Sequence, residues 1–276
     1  MSNVNPYLAP QAPEPPHQPN IGPSAPGQPL HWEVGEVLNQ AWALFKPSWG
    51  ALVGSLFVSQ FIGAMLRSVF NMPISLGQVA PQDDAYWPLV GVSATLGIII
   101  QQFFQVGLMK IWLSVARGQT PAFTDVFSGM SRFLPMLGVF FLTMPAVLAG
   151  MLLFIVPGII IGLGLMLAQW FVVDKNMGVI EALKASWTAT TGSKGKLFGF
   201  SIALTGVILL GYLACCIGVL AALPVAQVAA GIVYLRMTGQ SSYDPSAPTA
   251  YNSPPPGGYG PPPPGYGPPP PGGFGG

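Results

Sequence analysis

Charge is scarce in this sequence. Asp, Glu, Lys and Arg make up 7% of its 276 residues, where a soluble domain spends about a quarter of its residues on them. Residues 197–235 carry no charged side chain, and none lies between Arg132 and Asp174. A soluble protein would need a large polar shell to bury two such stretches, and this chain has no such shell. Uncharged runs of this length exceed one membrane crossing and suit two, at about 20 residues each. The expected fold is therefore all-α: a polytopic membrane protein with six transmembrane helices.

Histidine and cysteine are also rare, with two of each. His17 and His31 lie in or beside the N-terminal segment, outside the hydrophobic stretches. Cys215 and Cys216 are adjacent, which fits neither a zinc site nor a redox CxxC motif. They read as two small residues at a helix turn, with a strained vicinal disulfide as the other option. No His/Glu cluster, GxSxG elbow or intramembrane Ser/His or Asp/Asp pair occurs. Catalytic residues, metal ligands and cofactors are accordingly not expected, and the chain reads as a non-enzyme. The spans have no Asp or Glu near their middles, which argues against proton-coupled transport.

Proline and glycine are abundant, and they gather at the ends. Nine of the first 30 residues are Pro, without a Lys or Arg, and residues 240–276 end in PPPGGYGPPPPGYGPPPPGGFGG. Neither segment can bury enough apolar surface to offset its ordering entropy, so 1–30 and 240–276 are expected to be disordered tails around a membrane domain of 31–239. The N-terminal segment lacks the features of a secretory signal, so the first span is expected to act as an uncleaved start signal. Repeated GYGPPPP with Tyr259, Tyr266 and Phe274 suits aromatic-lined grooves that bind polyproline, so a cytoplasmic protein partner is one expectation; a solvated spacer is the plainer one. The tails have almost no cationic charge, which leaves nucleic acid out.

Within 31–239 one pattern occurs three times: a short amphipathic segment, then two spans. The spans are expected at 48–66, 89–112, 134–154, 157–173, 197–215 and 218–236. The first amphipathic face is Val34, Val37, Leu38, Ala41 and Phe45, with Glu33, Glu36, Asn39, Gln40 and Lys46 elsewhere. The second starts from Thr120 and Pro121 and presents Phe123, Val126, Phe127, Met130 and Leu134. The third groups Val179, Ile180, Leu183 and Trp187. These segments are expected to lie in the membrane interface, apolar face inward; simple extension of the spans is the alternative. Residues 38–52 and 183–197 align without gaps, pairing Trp42 with Trp187, which suggests an internal repeat.

Lys46, Lys110, Arg117, Arg132, Lys175, Lys184, Lys194, Lys196 and Arg236 flank one side of the spans, and only Arg67 flanks the other. By the positive-inside rule both termini are expected in the cytoplasm of a bacterial cell, with the protein multi-pass in the inner membrane. Small residues spaced by four, Gly50 and Gly54, Gly158 and Gly162, and Gly218, Ala222, Ala226 and Ala230, predict close helix packing within one bundle or across a homo-oligomer.

Polar residues inside spans are the candidates for function. Gln101, Gln102 and Gln105 lie in span two, Gln169 in span four and Gln227 in span six. Each amide could line a path or bond a neighbouring helix. Asp174 ends span four beside Lys175, where a capping or ion-pair role is expected.

The stretch IVPGIIIGLGLMLAQWFVVDKNMGVIEALKASWTATTGSKGKLF (155–198) resembles a family of uncharacterised bacterial integral membrane proteins. That family is related to the membrane domain attached to some glycerophosphoryl diester phosphodiesterases. The matching features are Pro157-Gly158 opening a span, Asp174 ending it, Glu181-Ala182-Leu183, Ser186-Trp187 and the Gly/Lys-rich turn that follows. The resemblance implies a six-span bundle over roughly 31–238 and no activity, since the phosphodiesterase catalytic domain has no counterpart here. The functional expectation is a non-enzymatic membrane scaffold or accessory protein acting through its cytoplasmic face. The alternative is a channel or transporter for a small or lipid-like solute.

Overall fold

The computed structural model describes residues 29–214 and 217–245. Among them no strand occurs, and the helices run α1 (Val34–Ser75), α2 (Tyr86–Ala116), a 3-10 helix (Phe123–Ser131), α3 (Phe133–Leu153), α4 (Ile155–Leu165), α5 (Ala168–Lys175), α6 (Val179–Thr190), α7 (Lys194–Leu213) and α8 (Ile217–Met237). Six segments are long and apolar enough to cross a membrane, α4 and α5 together forming the fourth. The adjacent cysteines and most of both Pro-rich segments lie outside the described residues.

α8 is the axis of the bundle. Of its most apolar stretch 67% is buried within the protein, against 17–39% for the other five spans. α1, α2 and α7 pack around it, and α3 and α4 form a hairpin beside them. The ridge on α8 explains the close approach: Ala222 and Ala226 are buried, and a Cβ on Gly218 would come within 2.7 Å of the Gly211 carbonyl of α7. Gly158 likewise sits against Gly150 across the α3–α4 hairpin. Gly50 does not follow this pattern, because nothing lies within 4 Å of the position its Cβ would take.

The first amphipathic segment is not a separate helix. It continues into span one as the 42-residue α1, about 63 Å long, with Pro47 inside it. Pro73 falls in the last turn of α1 and Pro88 in the first turn of α2, so the stretch left between the expected spans 48–66 and 89–112 shrinks to a loop of 76–85. Proline is tolerated in a first helical turn, where its missing N–H has no intrahelical acceptor.

The second amphipathic segment starts at Phe123 rather than Thr120, and it winds as a 3-10 helix. A three-residue period places Val126 and Gly129 on one side, and these are its buried residues. Backbones touch there: a Cβ on Gly107 would meet the Val126 carbonyl at 2.3 Å, and one on Gly129 the Phe103 carbonyl at 2.2 Å. Phe123, Phe127, Met130 and Leu134 face outward.

In the third segment, α6, the buried side is Ala182, Ser186 and Thr190, while Ile180 and Trp187 face out. Its hydroxyls mend a break in the adjoining span. Between α4 and α5 the helical ladder is interrupted; the Ser186 hydroxyl donates to the Gly164 carbonyl (2.8 Å) and accepts from the Leu167 N–H (3.2 Å). In a lipid-facing bundle such freed backbone groups must find partners inside the protein.

Candidate functional site

The densest polar cluster of the described residues sits where α1 begins and where α2, α5 and α8 end. It is built from two charged pairs joined by the segment Thr238–Tyr243.

Asp174 closes α5, and the chain leaves through Asn176 in the left-handed region (φ 56°), which Asn adopts at helix ends at modest cost. The Asp174 side chain is 6% exposed. One carboxylate oxygen accepts from Arg117 at the end of α2. The other accepts from the Tyr234 hydroxyl (2.8 Å) and the Gln240 amide (3.1 Å), with Lys175 Nζ 3.8 Å away. Arg117 also donates to Gln240 Oε1 at 2.9 Å. Tyr234 is held between the rings of Trp170 and Phe171.

Arg236, the one buried cation among the described residues, forms the second pair. It is 6% exposed. Its guanidinium donates to Glu36 Oε1 (2.8 Å), Gln40 Oε1 (2.7 Å) and the Ser242 hydroxyl (3.3 Å). The Gln40 amide then donates to Ser242 (3.1 Å) and to the Tyr243 carbonyl (2.7 Å). The planar fork of an arginine suits such multiple, directed contacts.

The segment after α8 is pinned by backbone as well. The Tyr243 N–H donates to the Ala116 carbonyl at 3.0 Å, and Tyr243 covers Gly118 (φ +72°), where a Cβ would lie 2.3 Å from its ring. On the entering side, the Leu30 N–H donates to the Arg236 carbonyl at 2.8 Å. Packed structure thus runs through Tyr243, beyond the boundary expected at residue 239. The chain segments leading to both Pro-rich ends meet at the C-terminus of α8.

Chemically this is an anchor. Every oxygen and guanidinium nitrogen described above is engaged by the protein, and a carboxylate holding this many donors is a fixed counter-ion rather than an open ligand. Among the described residues no group of three or more His, Cys, Asp or Glu could hold a metal ion.

Of the sequence candidates, the structure brings Asp174 into the cluster and leaves the glutamines outside it. Gln102 is buried, and its Oε1 has no hydrogen-bond partner. Gln101, Gln105, Gln169 and Gln227 are half-buried on their helices. Two concavities, one along α1 at Gln60, Arg67 and Asn71 and one along α7, are lined by none of these glutamines.

Sequence reasoning missed Gln40, Arg236, Tyr234, Gln240 and Ser242. Gln40 was expected on the polar side of its helix and is buried; it lies one residue from Ala41 and three from Val37, both fully buried. The available signal was the Glu36/Gln40 spacing of four, which aligns two side chains on one helix face.

The chain is similar to uncharacterised proteins of mycobacteria. Those of Mycobacterium tuberculosis strain H37Rv and Mycobacterium bovis strain AF2122/97 are each 27% identical to it, over 261 and 265 residues, covering 86% of this chain and 79% of theirs. No family model matches the chain, and no solved structure matches it.

Proposed function

We propose that this protein is a non-enzymatic scaffold or accessory protein of the bacterial inner membrane, acting through a cytoplasmic face that carries both termini. One observation supports the reading most: the Leu30 N–H bonded to the Arg236 carbonyl, which sets the entries of both Pro-rich segments side by side on the bundle. Two such segments held together would present a partner with linked sites, which raises affinity without new contacts. Lysine and arginine crowd that end, as the cytoplasmic side of membrane proteins requires. The resemblance of residues 155–198 to the membrane domain of some phosphodiesterases enters this proposal as a bundle only, with no hydrolytic step assigned.

Affinity capture from membranes with the whole chain, and with chains lacking residues 1–28, 246–276 or both, tests it. Loss of the same partner on either deletion, with greater loss on both, is the expected result. Identical partner sets from all four would overturn it. A periplasmic signal from a reporter fused at residue 240 would overturn the orientation.

The alternative, a channel or transporter for a small or lipid-like solute, draws on the orphaned Oε1 of buried Gln102. Solute flux in proteoliposomes that falls on Gln102→Leu at unchanged stability would favour it over the scaffold.

A further inference from the structure

The outward face of α7 combines two features that point to the same ligand. The first is a concavity of about 430 Å³ lined by Phe198, Ser201, Ile202, Thr205, Gly206 and Leu209. Its floor is apolar despite two hydroxyls, because Ser201 donates to the Leu197 carbonyl (2.9 Å) and Thr205 to the Ser201 carbonyl (2.8 Å) within their own helix. Gly206 keeps it open, with nothing within 4 Å of a Cβ there, and exposed Phe198, Ile202 and Leu209 form its rims. From Phe198 to Leu209 it runs about 16 Å along the helix, close to the depth of one leaflet of a ~30 Å hydrocarbon core.

The second feature is the charge at its mouth. Lys194 lies one turn below Phe198 on the same stripe, its Nζ 3.8 Å above the Trp187 ring; exposed Lys196, two residues on, lies on a different face of the same turn. Neither lysine has a salt-bridge partner among the described residues. In residues 179–198 the one carboxylate is Glu181, turned to the Gly178 N–H at the far end of α6. Trp187 is seated against Gly164, an amphipathic ring at the level where tryptophans border a bilayer. An apolar groove one leaflet deep with Lys194, which has no acidic partner, at its mouth is complementary to a lipid with an anionic headgroup.

We propose that this face of α7 seats one anionic phospholipid of the surrounding bilayer, its acyl chain in the groove and its phosphate at Lys194. The site is independent of the scaffold reading and of the Pro-rich segments.

Native mass spectrometry of the full-length protein in detergent tests it, with phosphatidylglycerol and phosphatidylcholine of matched chains added in equal amounts. The expected result is retention of phosphatidylglycerol over phosphatidylcholine by about five-fold or more, the worth of one cation beside an anionic surface. K194Q should erase the preference while both lipids still bind weakly, and G206L, which fills the groove, should lower retention of both. The lysine variant carries the test by itself if G206L fails to fold. Equal retention by the wild-type protein, an unchanged ratio in K194Q, or displacement by soluble glycerol phosphate as effective as by lipid would overturn the proposal.

Discussion

Arg236 and Gln40 meet across 196 residues of sequence, the guanidinium Nη2 donating to the amide oxygen at 2.7 Å with both side chains buried. This contact ties the end of the last span to the start of the first. The same two residues hold Ser242, so closing the bundle and anchoring the segment that follows it are one event.

Removing the guanidinium leaves a buried acceptor behind. Arg236→Ala strands Gln40 Oε1, while Ser242 keeps the Gln40 amide as donor, and an uncompensated buried polar group costs about 1–3 kcal/mol. Glu36 is 45% exposed and can rehydrate, so the expected total is about 1–3 kcal/mol. Arg236→Lys should rescue little, because one ammonium cannot serve three partners in a fork. Thermal unfolding in detergent measures both; a lysine variant as stable as wild type would show that charge alone suffices.

Gly118 and Tyr243 should be coupled. Gly118→Ala meets two penalties, the left-handed backbone at φ +72° and a ring 2.3 Å from the new Cβ. Together these should cost about 1–3 kcal/mol and free the 238–245 segment for proteolysis. In a Tyr243→Ala background the ring contacts disappear while the 2.7 Å contact with the retained Cβ and the backbone cost stay, so a double-mutant cycle should return the ring's share as an interaction energy. Strict additivity would mean that Tyr243 does not hold this seat in solution.

The six spans and Asp174 were legible because each depends on local sequence: charge gaps of membrane length, and one carboxylate closing an apolar run. The cluster around Asp174 was not. Gln240 and Ser242 read as polar linker residues, and their placement depends on partners on α5 and α1 that sequence spacing does not reveal. Gln40 was placed on the wrong side because a wheel sorts residues by polarity, whereas a glutamine facing a buried arginine is better satisfied inward. The 3-10 winding of Phe123–Ser131 follows from the glycine contacts with α2, a tertiary constraint invisible to helical periodicity. Gly50 shows the converse: small-residue spacing was present, and no helix came to meet it.

Ser186 should matter more than its exposed neighbours on α6. Its hydroxyl serves both the Gly164 carbonyl and the Leu167 N–H at the α4–α5 break. Ser186→Ala removes both bonds inside a buried site, and the expected loss is about 1–3 kcal/mol. Thr190, 3.3 Å from the same carbonyl, should soften the loss for Gly164 and leave Leu167 unpartnered. Amide hydrogen exchange at Leu167 should therefore accelerate in Ser186→Ala more than in Thr190→Val. Equal acceleration would assign the repair of the break to both hydroxyls alike.

Ala226 and Gly50 separate a small residue that packs from one that does not. Ala226 is 4% exposed on the central helix, so a leucine there must push α8 away from its neighbours. Overpacking of this kind costs about 1–3 kcal/mol. Gly50 faces open space on a long helix, and leucine there removes a poor helix former without a clash, a gain of up to about 1 kcal/mol. Ala226→Leu should thus lower the unfolding temperature in detergent while Gly50→Leu leaves it level or raises it. If Ala226→Leu were as stable as wild type, the close packing of α8 would be wrong; if Gly50→Leu unfolded early, Gly50 would face a helix of another copy of the chain.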